Sequence, residues 1–299
     1  MEKPRHFLNL ADYSAEAVLN LLKRSSEMKR GIPGKGLSRP LEGRCIGMIF
    51  EKPSTRTRVS FDVGVHQLGG HAIFLNWSDI QVGRGEPIRD TARVLSRYLD
   101  GIIIRTFGHE ILEEFARWST IPIINGLSDL LHPCQVLGDL LTLHDAGLDI
   151  GNMKAAWVGD GNNVANSWIT AAELLGFELT LACPEGYDPQ VNSHTPRVRV
   201  MRDPIEAVRD ADVVSTDVWA SMGQEDQILE RQQVFKNYQV NLNLLKNAAP
   251  RVFVLHCLPA HRGEEITDEV MESEHSLIWE QAENRLHVQK AILEMLVGK

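Results

Sequence analysis

No stretch of this 299-residue chain approaches the ~20 consecutive apolar residues that cross a bilayer, so no helical membrane span is expected. Cysteine is scarce. Cys45, Cys134, Cys183 and Cys257 show no CxxC spacing, which argues against a zinc site and against a disulfide framework. The eleven histidines form no HExxH or comparable ligand pair, and no metal is expected. Positive charge is in deficit: 31 Lys and Arg against 40 Asp and Glu give a net charge of −9. That balance disfavours nonspecific binding to nucleic acid or an anionic membrane, so an anionic substrate needs a local basic pocket. Residues 1–10 carry neither a secretory signal nor an Arg/Ser-rich transit segment, and cytoplasmic residence is the expectation. There is no glycine-rich Walker pattern. Gly159-Asp160-Gly161-Asn162-Asn163-Val164 also lacks the third glycine of the dinucleotide fingerprint, which argues against a nicotinamide-dependent dehydrogenase.

What is present is size and alternation. The length suggests two domains, and 43% apolar with 24% charged residues suits a soluble globular chain. Helical spacing over Ala15–Lys29 is broken by Gly31–Gly36. Strands are then expected at Cys45–Phe50, Ala72–Asn76, Gly101–Arg105 and Ile121–Asn125, alternating with helices at Arg56–Leu68, Ile88–Tyr98 and Glu110–Trp118. Pro133 opens a helix reaching about Ala146, and Gly147 and Gly151 bracket a domain junction. A second series places strands at Ala155–Val158, Glu178–Ala182, Val213–Thr216 and Val252–Leu255. Its helices are expected at Val164–Leu175, Pro204–Arg209, Ile266–Met271 and Gln281–Leu296. The fold class is therefore α/β, with two doubly wound, parallel-sheet domains.

Ser54-Thr55-Arg56-Thr57-Arg58-Val59 stands where the first strand turns into a helix. Ser54 or Thr55 can cap that helix, whose first turn has unpaired N–H groups. Those donors and the positive end of the helix dipole suit a phosphate, and Arg56 can add a bidentate grip. Downstream come Arg105, then His132-Pro133-Cys134-Gln135, then Asp217-Val218-Trp219-Ala220-Ser221-Met222-Gly223, then His256-Cys257-Leu258-Pro259. These segments, in this order, resemble the signature set of the aspartate/ornithine carbamoyltransferase family, over nearly the whole chain.

The resemblance implies a carbamoyl phosphate-binding domain (1–132 with the C-terminal helix 281–299), an interdomain helix (133–149) and an ornithine-binding domain (150–275). The last helix would return to the first domain, so two helices join the domains. It also implies carbamoyl transfer to the δ-amine of L-ornithine, giving L-citrulline and phosphate in arginine biosynthesis, or the reverse in arginine catabolism, with no cofactor. Ser54, Thr55, Arg56, Thr57, Arg105, His132, Gln135, Cys257, Leu258 and Arg285 would hold carbamoyl phosphate. Gln81 would approach it from a neighbouring subunit, which makes a homotrimer or an assembly of trimers the expectation. Asn163, Asp217, Ser221 and Met222 would hold ornithine, and Cys257 and Leu258 would border the reacting amine. Catalytic weight would fall on Arg105, His132 and Cys257. Family members usually carry a helix between the strand ending near Cys183 and Pro204. Here Pro189 and Pro196 leave room for a turn or two at most, and that edge should be trimmed.

Acceptor choice follows from charge. Aspartate needs cations for its second carboxylate, whereas putrescine and acylated ornithine lack the α-ammonium that Asp217 would pair. These amines are the alternative acceptors. A noncatalytic relative would be expected to lose some of Arg56, Arg105, His132 and Asp217, and all four are present.

Overall fold

Strand β1 (Cys45–Phe50) is buried from Ile46 onward, and β3 (Gly101–Arg105) and β4 (Ile123–Leu127) are buried throughout. Such continuous apolar runs mark parallel strands covered on both faces. With β2 (His71–Asn76) they form a four-stranded, all-parallel sheet in the order β2-β1-β3-β4. The computed structural model describes residues 6–31, 39–221, 223 and 225–299. Its chain divides into two units, Met1–Gly138 with Asn284–Lys299, and Asp139–Glu283. Residues 32–36 of the expected helix break lie outside the described residues.

The first unit carries helices α1 (Ala15–Arg30), α2 (Thr55–Gln67), α3 (Ile88–Leu95) and α4 (His109–Trp118), and α5 (Pro133–Asp145) leaves it. Its core includes Ile49, Leu99, Ile102, Ile104, Leu112 and Phe115. Most boundaries in this unit fall within one residue of expectation, and two elements, β4 and α3, depart by two or three. Strand β4 starts at Ile123, after Pro122, which has no N–H to donate to a ladder. Helix α3 stops at Leu95, where the Ser96 hydroxyl donates to the Ala92 carbonyl at 2.6 Å and meets the Ser119 hydroxyl.

The second unit has five parallel strands: β5 (Lys154–Val158), β6 (Glu178–Ala182), β7 (Val198–Met201), β8 (Val213–Thr216) and β9 (Phe253–His256). Their order is β7-β6-β5-β8-β9. Its helices are α6 (Asn163–Leu175), α7 (Pro204–Ala207), α8 (Ile228–Phe235), α9 (Leu242–Leu245) and α10 (Asp268–Met271), before α11 (Ile278–Val297). Val158, Val214, Phe235, Val254 and Ile266 lie in its core. Helix α5 contains the boundary at Gly138/Asp139 and α11 the one at Glu283/Asn284, so two helices join the units.

The trimmed edge needs correction. Residues 185–197 hold no helix, yet the chain then enters an edge strand, β7, paired with β6 from Val198 to Met201. The segment also packs onto the loop after β5. Gly161 N–H donates to the Tyr187 carbonyl at 2.9 Å, and a Cβ on Gly161 would meet Pro189 N at 2.3 Å. Only glycine allows that approach. The Asn166 side chain accepts from the N–H groups of Gln190 and Val191, pinning the same segment to α6.

Candidate active site

In the first unit Phe50 pairs with Arg105, and Arg105 with Leu127, so the loops after β1, β3 and β4 leave one sheet end side by side. From β1 the chain winds to β2 on one side and then to β3 on the other, which opens a ligand crevice at the strand C-termini. Ser54 caps α2 with extended backbone (φ −162) and accepts from Thr57 N–H at 3.2 Å. Thr55 is exposed on the first turn. Arg56 is half-buried and makes no hydrogen bond or ion pair with a described residue, so its guanidinium is available to a ligand.

Thr57 is fully buried, and its hydroxyl accepts from Arg285 Nη2 at 2.8 Å. Gly138 makes room for that arginine, since a Cβ there would meet Arg285 Cγ at 3.2 Å. Arg105 is buried at the end of β3, where the pairing with β4 shifts register. His132 and Gln135 are buried beside it at the start of α5. Burial, and then the guanidiniums of Arg285 and Arg105, push the His132 imidazole well below its ordinary pKa. It is therefore neutral at pH 7 and can donate a hydrogen bond without giving up its proton.

Glu51 and Lys52, which the sequence reading passed over, tie these loops together. Glu51 N–H donates to the Arg105 carbonyl at 2.8 Å, and its carboxylate accepts from the Thr106 hydroxyl (2.5 Å) and Phe107 N–H (3.0 Å). Lys52, also buried, pairs with Asp129 and lies 4.1 Å from the Phe107 ring centre.

In the second unit the order switches between β5 and β8, and Thr216 pairs with His256, which places Asp217 beside Cys257. Cys257 Sγ donates to Asp217 Oδ1 at 2.9 Å, and Asn162 Nδ2 to Asp217 Oδ2 at 2.7 Å. Asn162, rather than its neighbour Asn163, touches the carboxylate; it also caps α6 through Val164 and Ala165 N–H. Asn163 opens α6, half-buried. Arg231 of α8, also passed over, binds Asp160 at 2.9 Å and the Trp219 carbonyl at 2.6 Å, linking the loops after β5 and β8. Burial still holds the Asp160 carboxyl above its ordinary pKa.

The remaining expected residues stand apart. Gln81 is exposed in a single 3₁₀ turn, Gln81–Arg84, with no side-chain hydrogen bond to either cluster among the described residues. Ser221 is half-buried, and Met222 lies outside the described residues. Leu258 is half-buried with φ +58. Cys134 is buried with its thiol pushed up to about 12, mainly by desolvation, consistent with packing. Among the described residues, two groups have ligand atoms within 4.8 Å of one another, Asp217/His256/Cys257 and His261/Glu264/Glu265. In the first, both His256 nitrogens are occupied by Leu258 N–H and Glu265, so a metal would have to displace one of them.

Fold and clusters together define a two-unit, parallel-sheet α/β chain with arginines gathered at the strand ends of one unit and a carboxylate–thiol pair in the other. Residues 5–145 match the family description "Aspartate/ornithine carbamoyltransferase, carbamoyl-P binding domain", and residues 151–296 match "Aspartate/ornithine carbamoyltransferase, Asp/Orn binding domain". The chain belongs to the aspartate/ornithine carbamoyltransferase family. It is similar to the ornithine carbamoyltransferase of Geobacter metallireducens, at 55% identity over 98% of this chain and 99% of the relative. Its likeness to the anabolic ornithine carbamoyltransferase of Pseudomonas aeruginosa is 56% identity over 98% and 97%. Among solved structures it resembles ornithine carbamoyltransferase from Pyrococcus furiosus, with TM-score 0.91, 48% identity and coverage of 98% and 97%.

Proposed function

We propose that this chain transfers the carbamoyl group of carbamoyl phosphate to the δ-amine of L-ornithine, giving L-citrulline and phosphate, in the anabolic direction of its P. aeruginosa relative. The observation that carries the reading is a buried, neutral His132 beside Arg105 and Arg285, at the strand end that also presents the free guanidinium of Arg56. The first-turn amides of α2, Ser54, Thr55 and Arg56 hold the phosphate. Arg105 and Arg285 offset the charge that grows on it as the C–O bond breaks. Thr57, Arg105 and His132 donate to the carbamoyl oxygen, each such donor worth about 3–4 kcal/mol of barrier. Gln135 binds the carbamoyl amide.

The acceptor must arrive uncharged. An alkylamine with a pKa near ~10.4 costs about 4–5 kcal/mol to deprotonate at pH 7, and desolvation lowers that cost. Asp217 pairs with the α-ammonium, Asn163, Ser221 and Met222 hold the carboxylate end, and the Leu258 carbonyl orients the nitrogen beside Cys257. The nitrogen attacks the carbonyl carbon, the bond to phosphate breaks, and the nitrogen's proton leaves with the phosphate. Gln81 acts in a neighbouring copy, which makes the working form a homotrimer, resident in the cytoplasm.

The test is an assay for carbamoylated product with carbamoyl phosphate and ornithine, putrescine, aspartate or N-acetylornithine. Ornithine should exceed each other amine by at least about 100-fold in kcat/KM, the scale set by leaving Asp217 without its ammonium (putrescine, N-acetylornithine) or a second carboxylate without a cation (aspartate). Preference for any other amine overturns the reading.

A further inference from the structure

Leu258 sits in the left-handed region (φ +58), which residues with a side chain rarely adopt. Something must hold it there. Its N–H donates to His256 Nδ1 at 2.9 Å. A backbone N–H only donates, so Nδ1 carries no proton, and the ring proton of the neutral imidazole sits on Nε2. That nitrogen lies 3.0 Å from Glu265 Oε1, and both side chains are fully buried. The same Oε1 accepts from His261 N–H at 2.6 Å, which closes the loop from Leu258 to Glu264. Glu265 Oε2 has no partner among the described residues.

His256 is fixed from behind as well. Its N–H donates to Gln281 Oε1 at 2.9 Å, and Gln281 Nε2 donates to Asp139 Oδ1 at 2.7 Å. A buried carboxylate with one oxygen unpartnered is costly to keep. Its geometric effect is to fix the tautomer of the imidazole that grips the backbone of Leu258.

We infer that Glu265 and His256 are positioning residues: Glu265 sets the His256 tautomer, and His256 Nδ1 holds the Leu258 backbone so that its carbonyl faces the acceptor nitrogen. The inference rests on the transfer reading above and deepens it.

Two substitutions separate the two ends of the ring. In His256→Asn the amide oxygen stands near the place of Nδ1 and still accepts from Leu258 N–H. In His256→Gln the amide stands near Nε2, which keeps a partner for Glu265 but leaves Leu258 N–H unheld. His256→Gln should lower kcat with ornithine by about 100-fold, the scale of a small misplacement of reacting atoms. Its KM for carbamoyl phosphate, held by the other unit, should stay unchanged. His256→Asn should stay within about tenfold of the parent, and combining it with Glu265→Gln removes the buried charge that it strands. Independently, long-range ¹H–¹⁵N NMR of the unsubstituted protein should show His256 protonated at Nε2 alone.

Equal losses in both variants, or a greater loss in His256→Asn, overturn the inference, as does an Nδ1 proton in the NMR experiment. If neither variant folds, the tautomer decides alone. An unsubstituted protein inactive with ornithine counts against the transfer reading, and the tautomer still decides this one.

Discussion

His132 owes its neutrality to burial and to two guanidiniums, and this has a consequence for stability. In the unfolded chain its pKa returns to about 6.5, so below that pH the unfolded state binds a proton that the folded state refuses. The stability tied to His132 is thus fully present above pH ~6.5 and is lost as pH falls toward the depressed folded value. The slope reaches at most about 1.4 kcal/mol per pH unit. Urea unfolding at pH 7.5, 6.0 and 5.0 should show a smaller fall for His132→Gln than for the parent; parallel curves would contradict the assigned state. Legibility at this scale followed distance along the chain. The α2 cap reads directly, because Ser54 and Thr57 are three residues apart. Thr57 and Arg285 are 228 apart, and only the family resemblance joined them. Glu51 carries no local mark at all, since its partners Thr106 and Phe107 sit on the loop of the adjacent strand.

At the scale of elements, β7 and α8 were hidden for different reasons. Val198–Met201 is four residues long and only half covered, with Arg199 and Val200 exposed, so no apolar pattern announces it. Ile228–Phe235 mixes Glu, Arg and two Gln with its apolar residues and exposes Leu229, so it shows little helical striping. Yet α8 supplies Arg231, which joins the loop after β5 to the loop after β8. Arg231→Leu leaves Asp160 buried without its cation and should destabilise the protein by about 3–5 kcal/mol. Arg231→Leu with Asp160→Asn should recover part of this; urea midpoints of the three proteins check it, and a loss under about 1 kcal/mol would contradict the link. The long strands β1 and β3 were legible because strands covered on both faces read as unbroken apolar runs.

For the whole molecule, parallel sheets place every ligand loop at strand C-termini, and each unit has its own switch point there. In the proposed reaction, donor and acceptor chemistry belong to different units. If Gln81 acts in a neighbouring copy as proposed, light scattering on the purified protein should return the mass of three chains or a multiple of three; a stable, fully active monomer would contradict it. The division of labour itself is tested most directly by steady-state KM values for both substrates in Arg56→Ala and Asp217→Ala. The account predicts that Arg56→Ala raises the carbamoyl phosphate KM about 10–100-fold, as loss of a charged hydrogen bond does, while Asp217→Ala raises the ornithine KM by a similar factor and spares the donor. Equal losses for both substrates in both variants would contradict it.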